Sequence, residues 1–292
     1  MTDIFRRRLL QFAALATLSP SGSLLAGHNA TERIIALEWL PMEMLFILGV
    51  VPVGVTDPEN YMTFVQEPPV PHESNNIGLR TEPNLELITE LDPSLIVYSA
   101  GYGPSPDMLR TIAPVFPVEF NNGTSAPLAT TRRSLTALAS RIGREQQASA
   151  HIENLGKQLE QTRNAFAHYD NRPLLLMSFV DELHALIFGK GSLFQDVLAE
   201  IAIPNAWTGD TNFWGGSLVG IERLSEFQHV NVICFMDNDE AIWRNLSVSP
   251  VWKSMPFVES GHFTRVPMLW FYGGTLTAMR FSKVLENVLK PT

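Results

Sequence analysis

The stretch TRRSLTALASRIGREQQASAHIENLGKQLEQTRNAFAH, residues 131–168, contains no proline and interrupts a regular alternation of short apolar runs and helical patterns. The apolar side chains of its second half recur at near-helical spacing; they are Ile152, Leu155, Leu159 and Phe166. This pattern is typical of an amphipathic helix. The sequence predicts a short helix that ends at about Ile142 and a long helix from about Arg144 to His168. The long helix either covers one domain or connects two.

Strand–helix alternation occupies both sides of this long helix. On the N-terminal side the predicted strands are 33–39, 51–57, 94–100 and 115–120, the predicted helices are 41–49, 84–91 and 106–112, and the proline-rich segment 58–79 is a predicted loop. On the C-terminal side the predicted strands are 173–180, 185–189 and 230–236, and the predicted helices are 192–201, 251–255 and 274–289. Such alternation predicts an α/β fold with mainly parallel central sheets. We expect an N-terminal lobe at 31–143, an interlobe helix at 144–168 and a C-terminal lobe at 169–292.

The two halves share a faint internal pattern. The segments LELITELDPSLIVYS (85–99) and IERLSEFQHVNVICF (221–235) each predict a helix, a short turn and an apolar strand. Glu90 and Glu226 correspond, with one residue of slippage before the strand. Repetition of this kind favours two related lobes, although any two helix–strand units can match by chance.

The composition excludes several classes of protein. With 45% hydrophobic and 17% charged residues the chain is globular, and its net charge of −9 offers no overall field for a nucleic acid. The single cysteine, Cys234, excludes an internal disulfide framework and a Cys-rich metal centre. The seven histidines include no closely spaced pair, and no nucleophile elbow is present. We therefore expect neither a metal site nor catalysis, and a zinc site from distant histidines or an exported α/β enzyme stays as an alternative.

The first 26 residues have the features of an export signal. Arg6, Arg7 and Arg8 precede the apolar run LLQFAALATL and the small residues SPSGSLLAG. The paired arginines resemble a twin-arginine signal, with cleavage near Ala26 or Ala30. Removal of residues 1–26, with three arginines and one aspartate, changes the charge from −9 to −11. Because no cysteine lies near the cleavage point and no later segment is apolar enough to span a membrane, we expect a soluble, exported protein without a lipid anchor.

Aromatic residues gather in the loops that follow predicted strands. They are Trp39, Tyr98, Tyr102, Phe213, Trp214, Trp270, Phe271 and Tyr272. In open α/β sheets, ligands bind beyond the carboxyl ends of the strands. Rings from both halves therefore predict a shared, ring-lined cleft. The alternative, in which each ring completes the core of its own lobe, is less favoured for so many rings.

Four segments carry a resemblance to a known family: ALEWLPMEMLFILGVVPVGV, NIGLRTEPNLELITELDPSLIVYSAGYGPSPDMLRTIAP, IPNAWTGDTNFWGGSLVGIERL and FTRVPMLWFYGGTLTAMRF. In this order, across essentially the whole mature chain, they resemble the periplasmic ferric-hydroxamate (ferrichrome) siderophore-binding proteins of ABC importers. The resemblance implies two α/β lobes bridged by one long helix, a shallow cleft with little hinge motion, and a periplasmic location.

The resemblance also implies a set of siderophore-binding residues. Arg80 in GLRTEPN and Tyr102 in SAGYGPSP match the residues that hydrogen-bond the hydroxamate oxygens. The matches to the family's cleft lining are Trp214, Trp270, Tyr272 and Asn212. Phe64 and Tyr98 stand where the family has tryptophans, and Gly216 stands where it has a serine.

Two acidic residues match the positions through which the family docks on its inner-membrane ABC permease. They are Asp107 in SPDM and Glu222 in GIERL, one in each lobe. The resemblance thus implies a monomeric carrier whose partners are a ferric hydroxamate siderophore and the permease, with no nucleic acid.

The chemistry of ferric hydroxamates agrees with this set of residues. Three hydroxamates supply six oxygens to the iron(III), so the protein need supply no metal ligand and no intrinsic cofactor. A ferrichrome-like complex is neutral, whereas a ferric tris-catecholate carries three negative charges and would require several basic residues; the matched set contains Arg80 alone, although Arg265 and Arg280 could approach. The alternatives are carriers of another siderophore, a corrinoid or haem. Haem would require an axial ligand, and no matched cleft position is His, Met or Cys.

Overall fold

The computed structural model describes residues 32–123, 126–236 and 240–289. The predicted export signal at 1–26 and its cleavage sites lie outside these residues. Among the described residues, no helix combines the length and apolar character that crossing a membrane requires.

The N-terminal sheet is parallel throughout. Its strands are β1 (Ile34–Leu37), β2 (Gly54–Val55), β3 (Asn75–Asn76), β4 (Leu95–Ser99) and β5 (Val115–Val118). The helices of this half are α1 (Trp39–Ile47), α2 (Pro58–Phe64), α3 (Leu85–Glu90) and α4 (Pro106–Arg110). The strand order is β3-β2-β1-β4-β5. β1 and β4 are buried along their whole length, as expected of central strands in a parallel sheet.

Two consecutive helices connect the sheets. They are α5 (Pro127–Ile142) and α6 (Glu145–Ala165). Gly143 ends α5 with a left-handed φ of 66°, a conformation that glycine adopts without a steric cost. The long helix predicted from the opening stretch is α6.

The C-terminal sheet is mixed. Its strands are β6 (Leu174–Phe179), β7 (His184–Phe188), β8 (Gly216–Gly220), β9 (Asn231–Phe235) and β10 (Phe263–Val266). The helices of this half are α7 (Leu193–Glu200), α8 (Glu240–Val248), α9 (Pro250–Lys253), α10 (Pro256–Glu259) and α11 (Thr275–Val288), with a 3-10 helix at Ile221–Glu226. In the order β10-β9-β6-β7-β8, the first three strands are parallel and β7 is antiparallel to both neighbours. The predicted α/β class with two lobes and one long helix is confirmed.

Several local predictions were wrong. The segment 58–79, predicted to be a loop, contains α2 and β3. Pro58 lies in the first turn of α2, where backbone N–H groups have no partner within the helix, so the missing N–H of proline costs no hydrogen bond. The clustered prolines follow the end of that helix. β8, β10, α8 and α10 were not predicted. β8 begins and ends with glycine and β10 is half-exposed, so neither has the apolar run that marks a buried strand.

One apolar core extends across both lobes. Its buried members include Ala36 on β1, Leu155 and Leu159 on α6, Leu176 on β6 and Phe281 on α11. The long helix therefore packs against helices of both lobes, α1 and α5 on one side and α7 and α11 on the other, and shares their core. Residues 32–292 accordingly form one compact unit, and the lobe boundaries at 143/144 and 168/169 stay predictions.

Polar contacts fix the long helix to the C-terminal lobe. The Gln158 side chain donates to the Met279 carbonyl and to Ser282 Oγ, both at 2.6 Å. One turn further along α6, Thr162 Oγ1 donates to Glu286 Oε1 at 2.5 Å. These bonds hold α11 in a defined position on α6. Because α11 begins directly after the loop of Trp270 and Tyr272, they also help to position that loop.

Candidate functional site

A cavity of about 260 Å³ opens between the lobes, beyond the carboxyl ends of β1, β4 and β5. Its wall consists of Glu38, Leu40, Arg80, Ser99, Ala100, Tyr102, Phe120, Asn121, Phe213, Trp214, Trp270 and Tyr272. Strand ends supply the N-terminal part of the wall, and loops before β8 and after β10 supply the C-terminal part. This is where ligands bind in open α/β sheets, and the predicted shared cleft lies here.

Arg80 is held in the wall by carboxylates and a ring. Its Nη1 donates to Glu38 Oε1 at 3.0 Å, and its Nε lies 3.6 Å from Asp57 Oδ2. The guanidinium carbon lies 3.7 Å above the ring of Trp39 and 5.0 Å from that of Trp270. A guanidinium has five N–H donors, so this arrangement orients the group and leaves donors for a ligand oxygen.

Glu38 is the residue that organises this corner, and sequence reasoning missed it. It follows β1 with a φ of 114°, a left-handed conformation that is rare outside glycine. Its Oε2 accepts from the Leu40 amide at 2.9 Å and from Ser99 Oγ at 3.0 Å, while Oε1 accepts from Arg80. Each carboxylate oxygen therefore has a partner, as a buried charge requires.

Tyr102 lies at the tip of a turn after β4. Gly101 and Gly103 flank it with φ values of 82° and 78°, which a residue with a Cβ rarely adopts. The Tyr102 ring centre lies 5.7 Å from the guanidinium carbon of Arg80. The two residues predicted to hydrogen-bond the ligand thus meet at one edge of the cavity.

The remaining wall is a connected set of rings. Trp214 contacts Phe120 and Tyr272 with ring centres 5.9 and 5.1 Å apart, and Trp270 contacts Tyr272 at 5.3 Å. Beneath them Trp39 is fully buried against Trp270 at 4.5 Å. Burial raises the pKa of the Tyr272 phenol, which therefore stays protonated and can donate a hydrogen bond.

Not every predicted site residue lines the cavity. Arg80, Tyr102, Trp214, Trp270 and Tyr272 do, whereas Asn212, Phe64 and Tyr98 do not. Asn212 instead supports the loop: its Oδ1 accepts from the amides of Trp214 at 2.9 Å and Gly216 at 3.1 Å. It acts on the cavity through the position of Trp214.

Phe64 and Tyr98 lie outside the wall for different reasons. Phe64, at the end of α2, stacks on Trp39 with ring centres 6.2 Å apart and flanks the cavity. Tyr98 packs in a separate core cluster with Ile35 and Leu109, on the face of the first sheet opposite the shared core. Side chains alternate along a strand, so Ser99 rather than Tyr98 faces the cavity.

Sequence reasoning also missed most of the small and non-tryptophan lining residues. They are Leu40, Ser99, Ala100, Phe120 and Asn121, whereas Phe213 was among the rings predicted to line the cleft. Asn121 Nδ2 donates to the Phe213 carbonyl at 2.7 Å and so joins the lobes at the rim. The position of Phe120 as the last residue of the predicted strand 115–120 was a usable signal, since ligands bind beyond the carboxyl ends of strands.

The family model described as periplasmic binding protein matches residues 34–268. The chain belongs to the periplasmic binding protein family.

Comparison with individual proteins agrees with this assignment. The chain is 47% identical to the iron(3+)-hydroxamate-binding protein FhuD of Escherichia coli (strain K12), over 98% of this chain and 97% of that protein. Among solved structures, FhuD from Vibrio cholerae with bound Fe3+-Desferal superposes with a TM-score of 0.81 at 27% identity, over 88% of this chain and 97% of that chain. The predicted resemblance is confirmed.

The fold alone does not determine what is bound. The triscatecholate siderophore-binding protein FeuA from Bacillus subtilis shares it with a TM-score of 0.66 at 20% identity, over 88% of this chain and 92% of that chain. The ligand of this periplasmic binding protein must therefore be argued from its own cavity.

The residues predicted to dock on a permease are exposed and lie in different lobes of this periplasmic binding protein. Asp107 lies in the first turn of α4, with 93% of its side chain exposed, and pairs with Arg110 at 2.6 Å. Glu222 is exposed in the 3-10 helix after β8. Neither contributes to the cavity wall.

A second carboxyl group lies behind the wall. Glu43 on α1 is fully buried and accepts at Oε2 from the Gly274 amide, 3.1 Å away at the start of α11. Burial, and to a smaller extent the charge of Glu38, raises its pKa to about 7. Among the described residues, this corner included, no group of three acidic, His or Cys side chains is arranged to hold a metal ion.

Proposed function

We propose that this periplasmic binding protein captures ferric hydroxamate siderophores and delivers them to an inner-membrane ABC permease. It is a substrate carrier and not an enzyme. The observation that carries the proposal is the position of Arg80, fixed over Trp39 at 3.7 Å with unused donors, beside Tyr102 and a wall of rings.

The chemistry of the wall matches that of a neutral chelate. The hydroxamate oxygens form polar edges that accept from the guanidinium and the phenols, and the apolar arms contact the rings. The iron arrives with its six oxygens already in place, so it is cargo and takes no ligand from the protein. The names of the relatives that bind an iron(3+)-hydroxamate or Fe3+-Desferal support the same class of ligand.

Haem is a less favoured cargo than a ferric hydroxamate. It requires an axial ligand, and because the lining residues include no His, Met or Cys, only the phenols of Tyr102 and Tyr272 could serve; burial raises the pKa of the Tyr272 phenol and so disfavours the phenolate that would bind iron. A corrinoid or another siderophore differs mainly in shape and charge, which the titration below compares directly.

Fluorescence titration of the mature protein tests the proposal. Ferrichrome and ferrioxamine should each quench tryptophan emission, because Trp214 and Trp270 line the cavity. Ferric citrate, haemin and cobalamin are the comparison ligands and should bind more weakly. No response to any ferric hydroxamate up to high micromolar concentration would overturn the proposal.

The proposal includes delivery through Asp107 and Glu222. The resemblance implies that these carboxylates meet arginines of the permease. A Glu222→Lys variant should therefore bind ferrichrome normally and fail in permease-dependent uptake, because the lysine would face like charge. Glu153→Lys, on the exposed face of α6, is the matched control. Normal uptake by Glu222→Lys would remove that residue from the interface.

Four further features belong to the proposal. The chain is exported by the twin-arginine-like signal at 1–26, carries no lipid anchor and acts as a monomer, with lobes at 31–143 and 169–292 joined by 144–168. Mass spectrometry of the periplasmic form and sedimentation of the purified protein test these features.

A further inference from the structure

We propose that Glu38, together with Asp57, sets the charge selectivity of the cavity, which favours neutral and cationic ferric complexes over anionic ones. This inference rests on the proposed function and deepens it. Glu38 positions Arg80 through their hydrogen bond, and its carboxylate also lines the wall, where its charge acts on the ligand.

The charge around the cavity is negative, not positive. Glu38 and Arg80 are the charged residues of the wall, and they offset each other. Asp57, 3.6 Å from the Arg80 Nε, adds a further negative charge beside the same guanidinium. Behind the wall Glu43 interacts with Arg280 and offsets its charge once ionised, above its pKa of about 7, so the nearby groups sum to a negative charge at pH 8.

Both carboxylates are held by the fold. Glu38 is 7% exposed and caps α1, and its backbone amide donates to Thr56 Oγ1 at 3.0 Å. Asp57 lies at the N-cap position of α2 with a left-handed φ of 52°, and its Oδ1 accepts from Asn60 Nδ2 at 2.8 Å. These contacts hold both carboxylates beside Arg80, so their charge acts on a ligand that Arg80 binds.

A compensated arginine has a different role from a free one. With two carboxylates beside it, Arg80 is an oriented donor of hydrogen bonds whose charge is already satisfied. It can bind the neutral oxygens of a hydroxamate complex, but it offers no excess positive potential to an anionic complex. An added positive charge on the complex is attracted, since the nearby groups sum to a negative charge.

Two complexes of one siderophore separate charge from shape. Desferriferrichrome binds Ga³⁺ as a neutral complex and Ge⁴⁺ as a cation, with the same six oxygens around the metal. The wild type should bind the Ge⁴⁺ complex about tenfold more tightly than the Ga³⁺ complex, as expected for one net negative charge nearby. Calorimetric titration at pH 8, where Glu43 is ionised and offsets Arg280, measures both affinities.

The selectivity ratio should depend on each carboxylate. Glu38→Gln and Asp57→Asn should each lower the Ge⁴⁺-to-Ga³⁺ affinity ratio to about one, since each removes one negative charge. Glu153→Gln removes an equal charge from an exposed site on α6 and should leave the ratio unchanged. Circular dichroism checks that each variant is folded, and Asp57→Asn decides the matter if Glu38→Gln does not fold.

The outcomes separate charge selectivity from support alone. If Glu38 only positions Arg80, the variants weaken both complexes equally and the ratio stays at its wild-type value, which overturns the inference. A wild-type ratio of one or less also overturns it. Failure of the wild type to bind either complex contradicts the proposed function itself, and with it this inference.

Discussion

The two halves of the cavity wall are built from different chemistry. All lining residues from the C-terminal lobe are aromatic: Phe213, Trp214, Trp270 and Tyr272. The N-terminal lobe supplies both charged residues, Glu38 and Arg80, at the edge formed by the ends of buried strands. This difference indicates that the two lobes make different contributions to siderophore binding. Fixed polar groups orient the constant iron–oxygen core of a siderophore, and rings on loops contact arms that vary.

The largest expected effect comes from the polar half. Arg80→Ala should weaken the binding of any ferric trishydroxamate by about 100-fold, because an oriented charged donor is lost and Glu38 is left buried without its partner. The loss should be the same for ferrichrome and for ferrioxamine, since both present the same oxygens. Fluorescence titration measures it.

Two variants control for the loss at Arg80. Arg80→Lys keeps the charge without the planar fork and should bind with intermediate affinity. Arg110→Ala removes an exposed arginine from α4 and should bind normally. An affinity loss on Arg80→Ala that differs strongly between ferrichrome and ferrioxamine would show that the polar half also contacts the siderophore arms.

The next effect concerns the contact between the halves. Glu43 on α1 accepts from Gly274 at the start of α11, and burial raises its pKa from 4.5 to about 7. Between these values the native state retains a proton that the unfolded chain has released, so this group's stabilising contribution is lost as pH rises through about 7. Glu43→Gln should therefore raise the free energy of unfolding at pH 8 by about 2 kcal/mol and have little effect at pH 4.5.

Urea unfolding at several pH values measures the Glu43 effect. Glu153→Gln is the control, because that carboxylate is exposed and its pKa is lowered by its hydrogen bond to Lys157. A stability difference between wild type and Glu43→Gln that does not change with pH would contradict the prediction.

A smaller loss is expected from the aromatic half. Trp214→Ala removes a ring that contacts Phe120 and Tyr272, and affinity should fall by about tenfold. In contrast to Arg80→Ala, the loss should differ between ferrichrome and ferrioxamine, whose arms differ. Trp214→Phe should retain most of the affinity. If Trp214→Ala weakened the binding of all siderophores equally, the division between a polar half that orients the iron–oxygen core and an aromatic half that contacts the arms would be contradicted.

The smallest effect tests how the aromatic half is held. Asn212→Ala removes the acceptor of the Trp214 and Gly216 amides, so the loop must be ordered when the ligand binds. Affinity should fall by about threefold, with faster amide exchange at Trp214. Asn212→Asp keeps the acceptor and should behave as the wild type; a full tenfold loss would place Asn212 in direct contact with the ligand.

Much of the fold could be predicted from local patterns. Buried strands such as β4 and β9 have continuous apolar runs, and α6 has a helical repeat on a polar background. β8 lacks such a run because it is short and bounded by glycines, and β10 lacks one because it is half-exposed. Pairing with the neighbouring strands β7 and β9, and not their own sequences, defines them as strands.

The site was predicted less completely, for a related reason. Arg80 and Tyr102 stand in segments whose resemblance to a family is specific, and the structure places both in the wall. Glu38 also stands in such a segment, but it was not singled out, because a glutamate before a helix is most often a solvated cap. Its role depends on Arg80 and Ser99, which lie 42 and 61 residues away in the chain.

The sequence by itself determined the class of this protein: an α/β chain with one long helix, no cysteine-based or clustered-histidine chemistry, and rings placed after strands. Tertiary structure decided which of those residues face the ligand. Tyr98 turns into a core while Ser99 faces the cavity, and Asn212 holds a loop instead of lining it. The periodicity of apolar residues is a local property of the sequence. Which side chains face the cavity between the lobes depends on packing between residues far apart in the chain.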